Sequence, residues 1–310
     1  MRYLVTGGAG FIGSHIAEAL VARGEEVRVV DSFVTGRREN LAGFREHIEL
    51  VEGDLADPAV AARAVEGVER VLHQAAVPSV PRSVAEPVAC HRNAVGATLA
   101  LLEAARRAGV ARVVLASSSS IYGDRPGLPR REGQRPDPRS PYAAAKLACE
   151  LLAGLYARQW GLSTVCLRYF NVFGPRQNPR SKYAAVIPLF IRAALEGRPP
   201  LVYGDGRQAR DFTYVSNVVE ANLLAVASEA PLAGEIVNVA CGRKFTLLDL
   251  LDAIREITGR SVEPRFAPPQ PGDVRESLAD VARASELFGY EPRIDFREGL
   301  ARTVESLASG

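Results

Sequence analysis

The sequence has few of the residues on which metal sites, disulfide frameworks and membrane anchors depend. Its four cysteines (Cys90, Cys149, Cys166 and Cys241) lie far apart, and its four histidines show no spacing typical of metal ligands. We therefore expect free thiols in a reducing cytoplasm and no metal site. No apolar stretch is long enough for a transmembrane helix, and the glycine-broken N-terminus does not have the pattern of a signal peptide.

An excess of charge of one sign is also missing. The formal net charge of the 310 residues is only +2, which excludes a general electrostatic attraction for nucleic acid or an anionic membrane. Lysine is scarce, since it occurs only at positions 146, 182 and 244, and arginine supplies the other cations. Apolar residues make up 47% of the chain, which is enough for the buried core of one large domain or two modest ones.

The first half of the sequence alternates between predicted strands and helices. This alternation is typical of an α/β fold of the Rossmann type, a doubly wound parallel sheet with helices on both faces. Helices are expected over Phe11–Arg23, over about 90–108, and after Ser140-Pro141, whose residue types suit an N-cap and a first turn. The expected strands are Arg2–Thr6, Glu26–Val30, Ile48–Glu52, Arg70–Gln74, Arg112–Ala116 and Thr164–Phe170.

A glycine-rich turn joins the first predicted strand to the first predicted helix. Its first glycine permits a tight turn, the second lets the backbone approach a pyrophosphate, and the third lets the helix pack on the strand. Asp31 ends the second strand, where a carboxylate binds the adenosine ribose and repels a 2′-phosphate, so NAD is favoured over NADP. The residues predicted to form this site are Gly7, Gly10, Phe11, Ile12, Gly13 and Asp31.

Three later segments add candidate contacts to the same cofactor. Asp54-Leu55 follows the third strand and suits the adenine edge, although an Asp there could equally cap the next helix. The small residues in Gln74-Ala75-Ala76, at the end of the fourth strand, would let the cofactor lie close. Asn93 in the following helix could contact the cofactor or brace a loop, since a buried Asn needs a partner in either case.

The composition changes after about residue 172, where Pro, Gly and Arg become denser. We expect residues 1–172 to form the NAD-binding Rossmann domain, with a strand and a helix contributed from about 211–258. Residues 173–310 would then form a smaller, loop-rich region that mainly binds the substrate.

Tyr142 and Lys146 are spaced i, i+4 on the helix that begins after Ser140, so both side chains point to the same place. An ammonium group beside a phenol favours the phenolate, and a bound nicotinamide cation would add to this effect. The pair therefore predicts a general base that takes a proton from a substrate hydroxyl near neutral pH. The apolar helix and the upstream serines disfavour the alternative, a surface Tyr–Lys pair.

Four serines, 117–120, follow the fifth strand, at the edge of the sheet where doubly wound folds bind ligands. A hydroxyl in this place can hydrogen-bond a reacting hydroxyl or carbonyl group. For Ser117 and Ser119, a polar turn is an equally good interpretation.

These motifs together resemble one family over essentially the whole chain. The stretches TGGAGFIGSH, SSSIYGD, SPYAAAK, RYFNVFGPRQ, GDGRQARDFTYV and PGDVRESLAD are similar to those of extended short-chain dehydrogenase/reductases of the NAD-dependent epimerase/dehydratase family. Within this family, the chain most resembles UDP-glucose and UDP-N-acetylglucosamine 4-epimerases. The resemblance implies a cytoplasmic, NAD-dependent isomerase that inverts C4 of a UDP-hexose through a transient 4-keto sugar. It also implies a homodimer formed through the helices near 90–108 and 141–160.

The resemblance also implies roles for individual residues. Tyr142 would be the base, Lys146 would favour its phenolate and hold the nicotinamide ribose, and Ser118 would orient the sugar hydroxyl. Arg210 and Arg275 would clamp the pyrophosphate, for which guanidinium groups have the matching geometry. The remaining implied contacts are Phe170 with the nicotinamide, and Ser120, Asn171, Ala185, Val186, Asp273 and Ser277 with the nucleotide sugar.

Ser277 stands where the family has a residue that limits the size of the C2 substituent. Its small side chain leaves room for an N-acetyl group, which predicts interconversion of UDP-GlcNAc and UDP-GalNAc, with UDP-Glc and UDP-Gal as a further pair. Pro78 departs from this subgroup, which usually has glycine there, and Arg176 and Arg180 could meet a carboxylate. Asn178, however, occupies the place of the arginine expected in an enzyme that acts on UDP-glucuronic acid.

Three alternatives therefore stay open. A UDP-glucuronic acid 4-epimerase is the first of these. A 4,6-dehydratase is disfavoured, because Ser119 and Ser120 stand where such enzymes have an Asp-Glu pair for elimination. A non-catalytic NAD-binding protein is disfavoured because both Tyr142 and Lys146 are present.

Overall fold

The computed structural model describes residues 1–178, 185–269 and 274–309. These residues contain the strands β1 (Arg2–Thr6), β2 (Glu26–Asp31), β3 (Ile48–Glu52), β4 (Arg70–His73), β5 (Arg112–Ser118), β6 (Ser163–Tyr169), β7 (Val172–Phe173), β8 (Leu201–Tyr203), β9 (Ala209–Arg210), β10 (Thr213–Tyr214), β11 (Ala233–Val239), β12 (Phe245–Thr246) and β13 (Arg265–Ala267). The helices are α1 (Phe11–Ala22), α2 (Pro58–Val65), α3 (Val80–Ala85), α4 (Pro87–His91), α5 (Ala97–Ala108), α6 (Pro141–Trp160), α7 (Val186–Leu195), α8 (Val215–Ala227), α9 (Leu247–Thr258), α10 (Ala282–Phe288) and α11 (Phe296–Ala308). Short 3₁₀ segments span Arg38–His47 and Ser119–Tyr122, and a π-helical turn, Arg92–Gly96, joins α4 to α5.

Seven strands form one parallel sheet in the order β11-β6-β5-β4-β1-β2-β3. The strand order reverses between β1 and β4, which pair directly with Thr6 opposite His73. Doubly wound sheets bind their ligands at the carboxyl ends of the strands beside such a reversal. The predicted Rossmann-type fold is therefore confirmed, and the reversal shows where its site lies.

The two faces of the sheet bury separate apolar layers, because alternate side chains of each strand point to opposite faces. In β1, Val5 packs with Ile16 of α1 and Val218 of α8 on one face. Leu4, its neighbour, packs with Leu101 of α5 and Ala153 of α6 on the other face. The sheet is thereby covered on both sides, and only the strand ends are left to face a ligand.

The C-terminal third of the chain contributes to the sheet and also builds a separate apolar cluster. Strand β11 pairs with β6 at the edge of the sheet. Helix α8 packs on one face of the sheet, against β4, β5 and β6. Helix α9 packs instead against α7 and α11, where Leu250, Ile191 and Leu300 form a third buried cluster. This part of the chain also contains three pairs of short strands (β7 with β10, β9 with β12, β8 with β13).

Candidate active site

A deep cleft lies at the reversal of strand order, where the predicted cofactor residues come together. The ends of β1, β2 and β4, the start of α1 and one face of α6 form its walls. Its lining includes Gly7, Gly10, Phe11, Ile12, Gly13, Asp31, Asp54, Leu55, Gln74, Ala75, Ala76, Asn93, Tyr142 and Lys146.

The glycine-rich turn is as tight as its sequence predicts. Gly7 has φ +63°, and a Cβ on it would lie 2.8 Å from the backbone of Ala75, two residues after the end of β4. A Cβ on Gly13 would collide with the carbonyl oxygen of Gly7. Among the described residues, no side chain caps helix α1 at Gly10, so the N–H groups of its first turn remain for an anion. The turn therefore fits the pyrophosphate of a dinucleotide.

Asp31 is held by the backbone at the end of the cleft where β2 ends. Its carboxylate accepts hydrogen bonds from the N–H groups of Ala9 (2.9 Å) and Phe33 (2.8 Å). Burial raises the pKa of Asp31, and these N–H groups oppose that shift by stabilising the charged form. A buried acceptor with remaining lone pairs suits the hydroxyls of an adenosine ribose.

Arg37 and Asn40 also line this end of the cleft, and the sequence analysis missed them. The Arg37 guanidinium donates to Asn40 Oδ1 (3.1 Å) and to the carbonyl oxygen of Arg176 (3.2 Å). Arg37 and Asn40 follow Asp31 by only six and nine residues. Because the chain leaves β2 at the carboxyl-end edge of the sheet, this short separation could have identified them as residues near the cleft.

Asp54 lines the cleft and does not cap the next helix. Its carboxylate accepts a hydrogen bond from the N–H of Ala56 (3.0 Å) and pairs with Arg92 (2.7 Å). Asp57 caps α2 instead, through the N–H of Ala59 (2.9 Å). Asn93 lies in the π-helical turn and lines the cleft. Such π turns are frequent at functional sites.

Helix α6 presents Tyr142 and Lys146 to the cleft. The helix begins as predicted, with the Ser140 hydroxyl accepting a hydrogen bond from the N–H of Ala143 (3.2 Å). Lys146 is buried, and its ammonium donates to the carbonyl oxygen of Ala116 in β5 (2.7 Å). A single acceptor leaves further N–H groups of Lys146 for a phenol or a ribose hydroxyl.

Serines 117–120, at the end of β5 and just after it, lie in different surroundings. Ser117 lines the cleft, and its hydroxyl donates to Glu150 (2.6 Å). Ser118 lies outside the lining, and its hydroxyl accepts from the N–H (3.2 Å) and the hydroxyl (2.9 Å) of Ser120. Phe170 is also outside the lining, because its ring is fully buried against Tyr122 at a centroid distance of 6.1 Å.

The structure joins four of the predicted sugar-nucleotide residues in one cluster. The side-chain amide of Asn171 donates to Ser277 Oγ (2.9 Å) and to the carbonyl oxygen of Asp211 (3.2 Å). The Arg210 guanidinium donates to the carbonyl oxygen of Arg275 (3.3 Å), so the Arg210 side chain lies against the backbone of Arg275. These contacts cross long sequence separations, and Asp211 is a member that the sequence analysis missed.

Asp211 anchors this cluster from below. Its fully buried carboxylate accepts hydrogen bonds from the N–H groups of Cys241 (3.0 Å), Gly242 (3.0 Å) and Ala279 (3.2 Å). Burial raises the pKa of Asp211 to about 6, despite these N–H groups, which favour the charged form. One carboxylate thereby holds together the segments that carry Arg210 and Ser277.

Two further predicted sugar contacts lie at the start of α7, and Asp273 is one of the residues outside the described ranges. Ala185 is exposed and precedes the first residue of α7, Val186. Asp273 and Arg180 lie outside the described residues.

A series of buried hydrogen bonds lies beneath the cleft. His73 Nδ1 contacts the Thr6 hydroxyl (2.7 Å), and Nε2 contacts the Thr98 hydroxyl (3.0 Å), which donates to Cys149 Sγ (3.3 Å). Burial, with a smaller contribution from the charge of Lys146, lowers the pKa of His73 to about 3. The imidazole is therefore neutral at neutral pH and adds no charge beside the ammonium group.

The described part of the chain contains no group of three or more His, Cys, Asp or Glu side chains placed to hold a metal ion. None of its helices is long and apolar enough to cross a membrane.

Comparisons with known proteins agree with this geometry. Residues 3–240 match the NAD dependent epimerase/dehydratase family. The chain is 40% identical over 309 residues to a UDP-glucose 4-epimerase of Mycolicibacterium smegmatis, which covers 98% of both chains. It is 38% identical to the solved UDP-glucose 4-epimerase of Thermotoga maritima with UDP-glucose (TM-score 0.95, 100% of this chain and 99% of that one). It is 40% identical to the solved UDP-N-acetylglucosamine 4-epimerase of Methanobrevibacter ruminantium (TM-score 0.95, 99% and 98%).

The neutral state of His73 predicts a pH dependence of stability. The folded-state pKa lies below the ordinary value of about 6.5, so His73 contributes stability that is present above pH ~6.5 and lost as the pH falls toward ~3. The loss approaches about 1.4 kcal/mol per pH unit. Urea unfolding between pH 7 and pH 4 should therefore show a shallower decline for His73→Gln than for the wild type. Parallel declines in the two proteins would contradict this prediction.

Proposed function

Because the chain belongs to the NAD-dependent epimerase/dehydratase family, we propose that it is an isomerase that inverts C4 of a UDP-hexose. The observation that carries the proposal is the placement of Tyr142 and Lys146 on one face of α6, in the cleft whose glycine turn and Asp31 fit NAD. The similar proteins of M. smegmatis, T. maritima and M. ruminantium are named as UDP-sugar 4-epimerases, which supports a UDP-sugar as the substrate.

The residues of the chain account for the proton chemistry of such a reaction. Tyr142 takes the proton of the 4-hydroxyl group, while the ammonium of Lys146, fixed on the carbonyl of Ala116, stabilises the phenolate. NAD, when bound, supplies a reversible acceptor for the C4 hydride. The resulting 4-keto sugar would turn in the site and present its opposite face, and Tyr142 would then return the proton to the C4 oxygen.

Arg210 and Arg275 support a diphosphate-binding role for this cluster. The Arg210 guanidinium contacts the backbone of Arg275, and the contacts of Asp211 and Ser277 hold the two segments together. Two guanidinium groups offer planar donors that match phosphate oxygens. In this proposal, they bind the UDP diphosphate and leave the hexose free to turn.

Ser277 and its contact with Asn171 support selection for the C2 substituent. The Ser277 hydroxyl accepts hydrogen bonds from the Asn171 amide (2.9 Å) and the N–H of Asp211 (3.3 Å), which fixes its small side chain against the cluster. A side chain of this size leaves room for an N-acetyl group. We therefore propose UDP-GlcNAc and UDP-GalNAc as one interconverted pair, with UDP-Glc and UDP-Gal as the other.

The contacts of Arg176 weigh against UDP-glucuronic acid as the preferred substrate. Its guanidinium pairs with Glu18 (2.8 Å) and donates to the Ser14 hydroxyl (3.3 Å), both on α1. It is thereby engaged away from the sugar cluster at Asn171 and Ser277.

Exposed leucines on α5 and α6 support a homodimer. Leu99 is 45% exposed, Leu151 is 65% exposed and Leu155 is 38% exposed. Leu151 and Leu155 are spaced i, i+4 and form one stripe on α6, which packs beside α5. We propose that a second copy of the chain covers this stripe, as the resemblance to the family implies.

Replacing Tyr142 by phenylalanine should abolish most of the turnover without releasing the cofactor. Loss of the proton acceptor is expected to lower kcat by at least about 100-fold. Separation of the product sugars measures turnover, and absorbance after denaturation measures the bound NAD. Tyr156→Phe is the matched control on the same helix, since its hydroxyl contacts Glu103 rather than the cleft. Equal activity in both variants would refute the role of Tyr142.

Separate incubations with UDP-Glc, UDP-GlcNAc and UDP-GlcA test the proposed substrates directly. We expect turnover of UDP-GlcNAc, which Ser277→Tyr should abolish selectively because a large ring would fill the space for the acetyl group. Ser277→Ala keeps a small side chain and should retain that turnover. Activity confined to UDP-Glc and UDP-Gal, or to UDP-GlcA, would overturn the assignment.

Sedimentation should give a particle of twice the 33.3 kDa chain mass. Leu151→Glu places a charge on the apolar stripe, and its burial in an interface would be costly, so the variant should sediment as a monomer. Glu305→Lys on α11, which is remote from the stripe, should remain a dimer. A monomeric wild type would disprove the proposed interface.

A further inference from the structure

Glu150 continues the catalytic face of α6 below the cleft. Tyr142, Lys146 and Glu150 are spaced four residues apart and share one face of the helix. Lys146 donates to the carbonyl of Ala116, and Glu150 accepts from the hydroxyl of Ser117 (2.6 Å). Two consecutive residues of β5 are thus attached to two consecutive turns of α6, immediately before Ser118.

A buried ion pair holds the Glu150 carboxylate in this position. Arg168 of β6 donates from Nε to Glu150 Oε1 and from a terminal nitrogen to Oε2, both at 2.8 Å, and both side chains are 1% exposed. In the sheet, Ser117 and Arg168 are directly paired across β5 and β6. Their side chains therefore approach Glu150 from adjacent strands, on the same face of the sheet.

The same guanidinium also contacts the segment that follows Ser118. It lies 4.7 Å from the centre of the Tyr122 ring, and the Tyr122 hydroxyl donates to Asn238 Oδ1 (2.7 Å). Tyr122 ends the 3₁₀ segment that Ser118 caps, and its ring packs on Phe170. Arg168 thus connects the catalytic helix to both sides of Ser118.

Stability alone is a poor reason for this arrangement, because removing two charges from water costs about as much as their attraction returns. The network instead fixes directions, since a bidentate pair has a defined geometry. We propose that Glu150 and Arg168 are positioning residues that act through Ser117 to hold Ser118 and the end of β5 in register with Tyr142. This inference rests on the proposed epimerase function.

Ser117→Ala is the most direct test, because it removes the hydrogen bond from Ser117 to Glu150 but leaves the Glu150–Arg168 ion pair intact. We expect kcat for the preferred UDP-sugar to fall about tenfold, since small misplacements of reacting groups are costly, while KM and bound NAD stay within about twofold of the wild type. Thr164→Val is the matched control. It removes another buried hydroxyl that joins the sheet to α6, through the carbonyl of Ala153 (2.9 Å), but away from the cleft. It should lower Tm and leave kcat within about twofold.

Two further variants separate positioning from a direct contact of Ser117 with the cofactor. Ser117→Thr restores the hydroxyl and should recover most of kcat. Glu150→Gln should lower kcat, because a single amide oxygen must then serve both the Ser117 hydroxyl and the Arg168 guanidinium. Adding Ser117→Ala to it should cause little further loss, because both changes weaken the same connection between Ser117 and the ion pair. The inference would be overturned if the fold-reductions of kcat in Ser117→Ala and Glu150→Gln multiplied in the double variant. It would also be overturned by equal kcat in Ser117→Ala and Thr164→Val. A wild type without turnover of any UDP-sugar would instead refute the proposed function, and this inference with it.

Discussion

The close approach of two parallel strand ends is the constraint on which the site depends. Strands β1 and β4 end side by side, and the chain leaves them toward opposite faces of the sheet. The turn after β1 passes so near the backbone of Ala75 that Gly7 has no room for a side chain. Because the two connections diverge, a crevice opens above the strand ends, and helix α1 begins at it. The uncapped end of α1, the Asp31 carboxylate and the helix that carries Tyr142 and Lys146 therefore share one cleft, as the proposed phosphate-binding, ribose-binding and catalytic roles require.

Charged side chains around this cleft are buried in different ways, and each has specific partners. Asp31 and Asp211 accept backbone N–H groups, Lys146 donates to a backbone carbonyl, and Glu150 pairs with Arg168. Since an unpaired buried charge is very costly, each of these contacts restricts the charge to one position. The cost of burying these charges is thereby offset by contacts that fix their positions, which suits the proposed transfer of one proton and one hydride.

Local patterns allowed the sequence to predict much of this arrangement. The glycine turn, Asp31 and the Tyr142–Lys146 pair each depend on spacings within one strand, turn or helix, and so they were readable without the fold. The role of Asp54 was harder to predict, because an Asp there could equally cap α2, and the structure gives that cap to Asp57 instead. The serines after β5 were ambiguous for a related reason: which hydroxyl faces the cleft depends on where the strand ends. The contact of Asn171 with Ser277 joins residues 106 positions apart, and no local signal encodes it.

The π-helical turn at Arg92–Gly96 has a consequence for how this protein tolerates changes in chain length. A π turn contains one residue more than regular α-helical winding needs. Because this extra residue is absorbed locally, the side chains of α5 face as they would in a regular helix with one residue fewer. Deleting one residue in this segment would therefore leave Leu101 in the core and Ala97 at the cleft. A further inserted residue would instead rotate the later side chains of α5 by roughly 100° about the axis, since 3.6 residues complete a turn, and would be far more damaging.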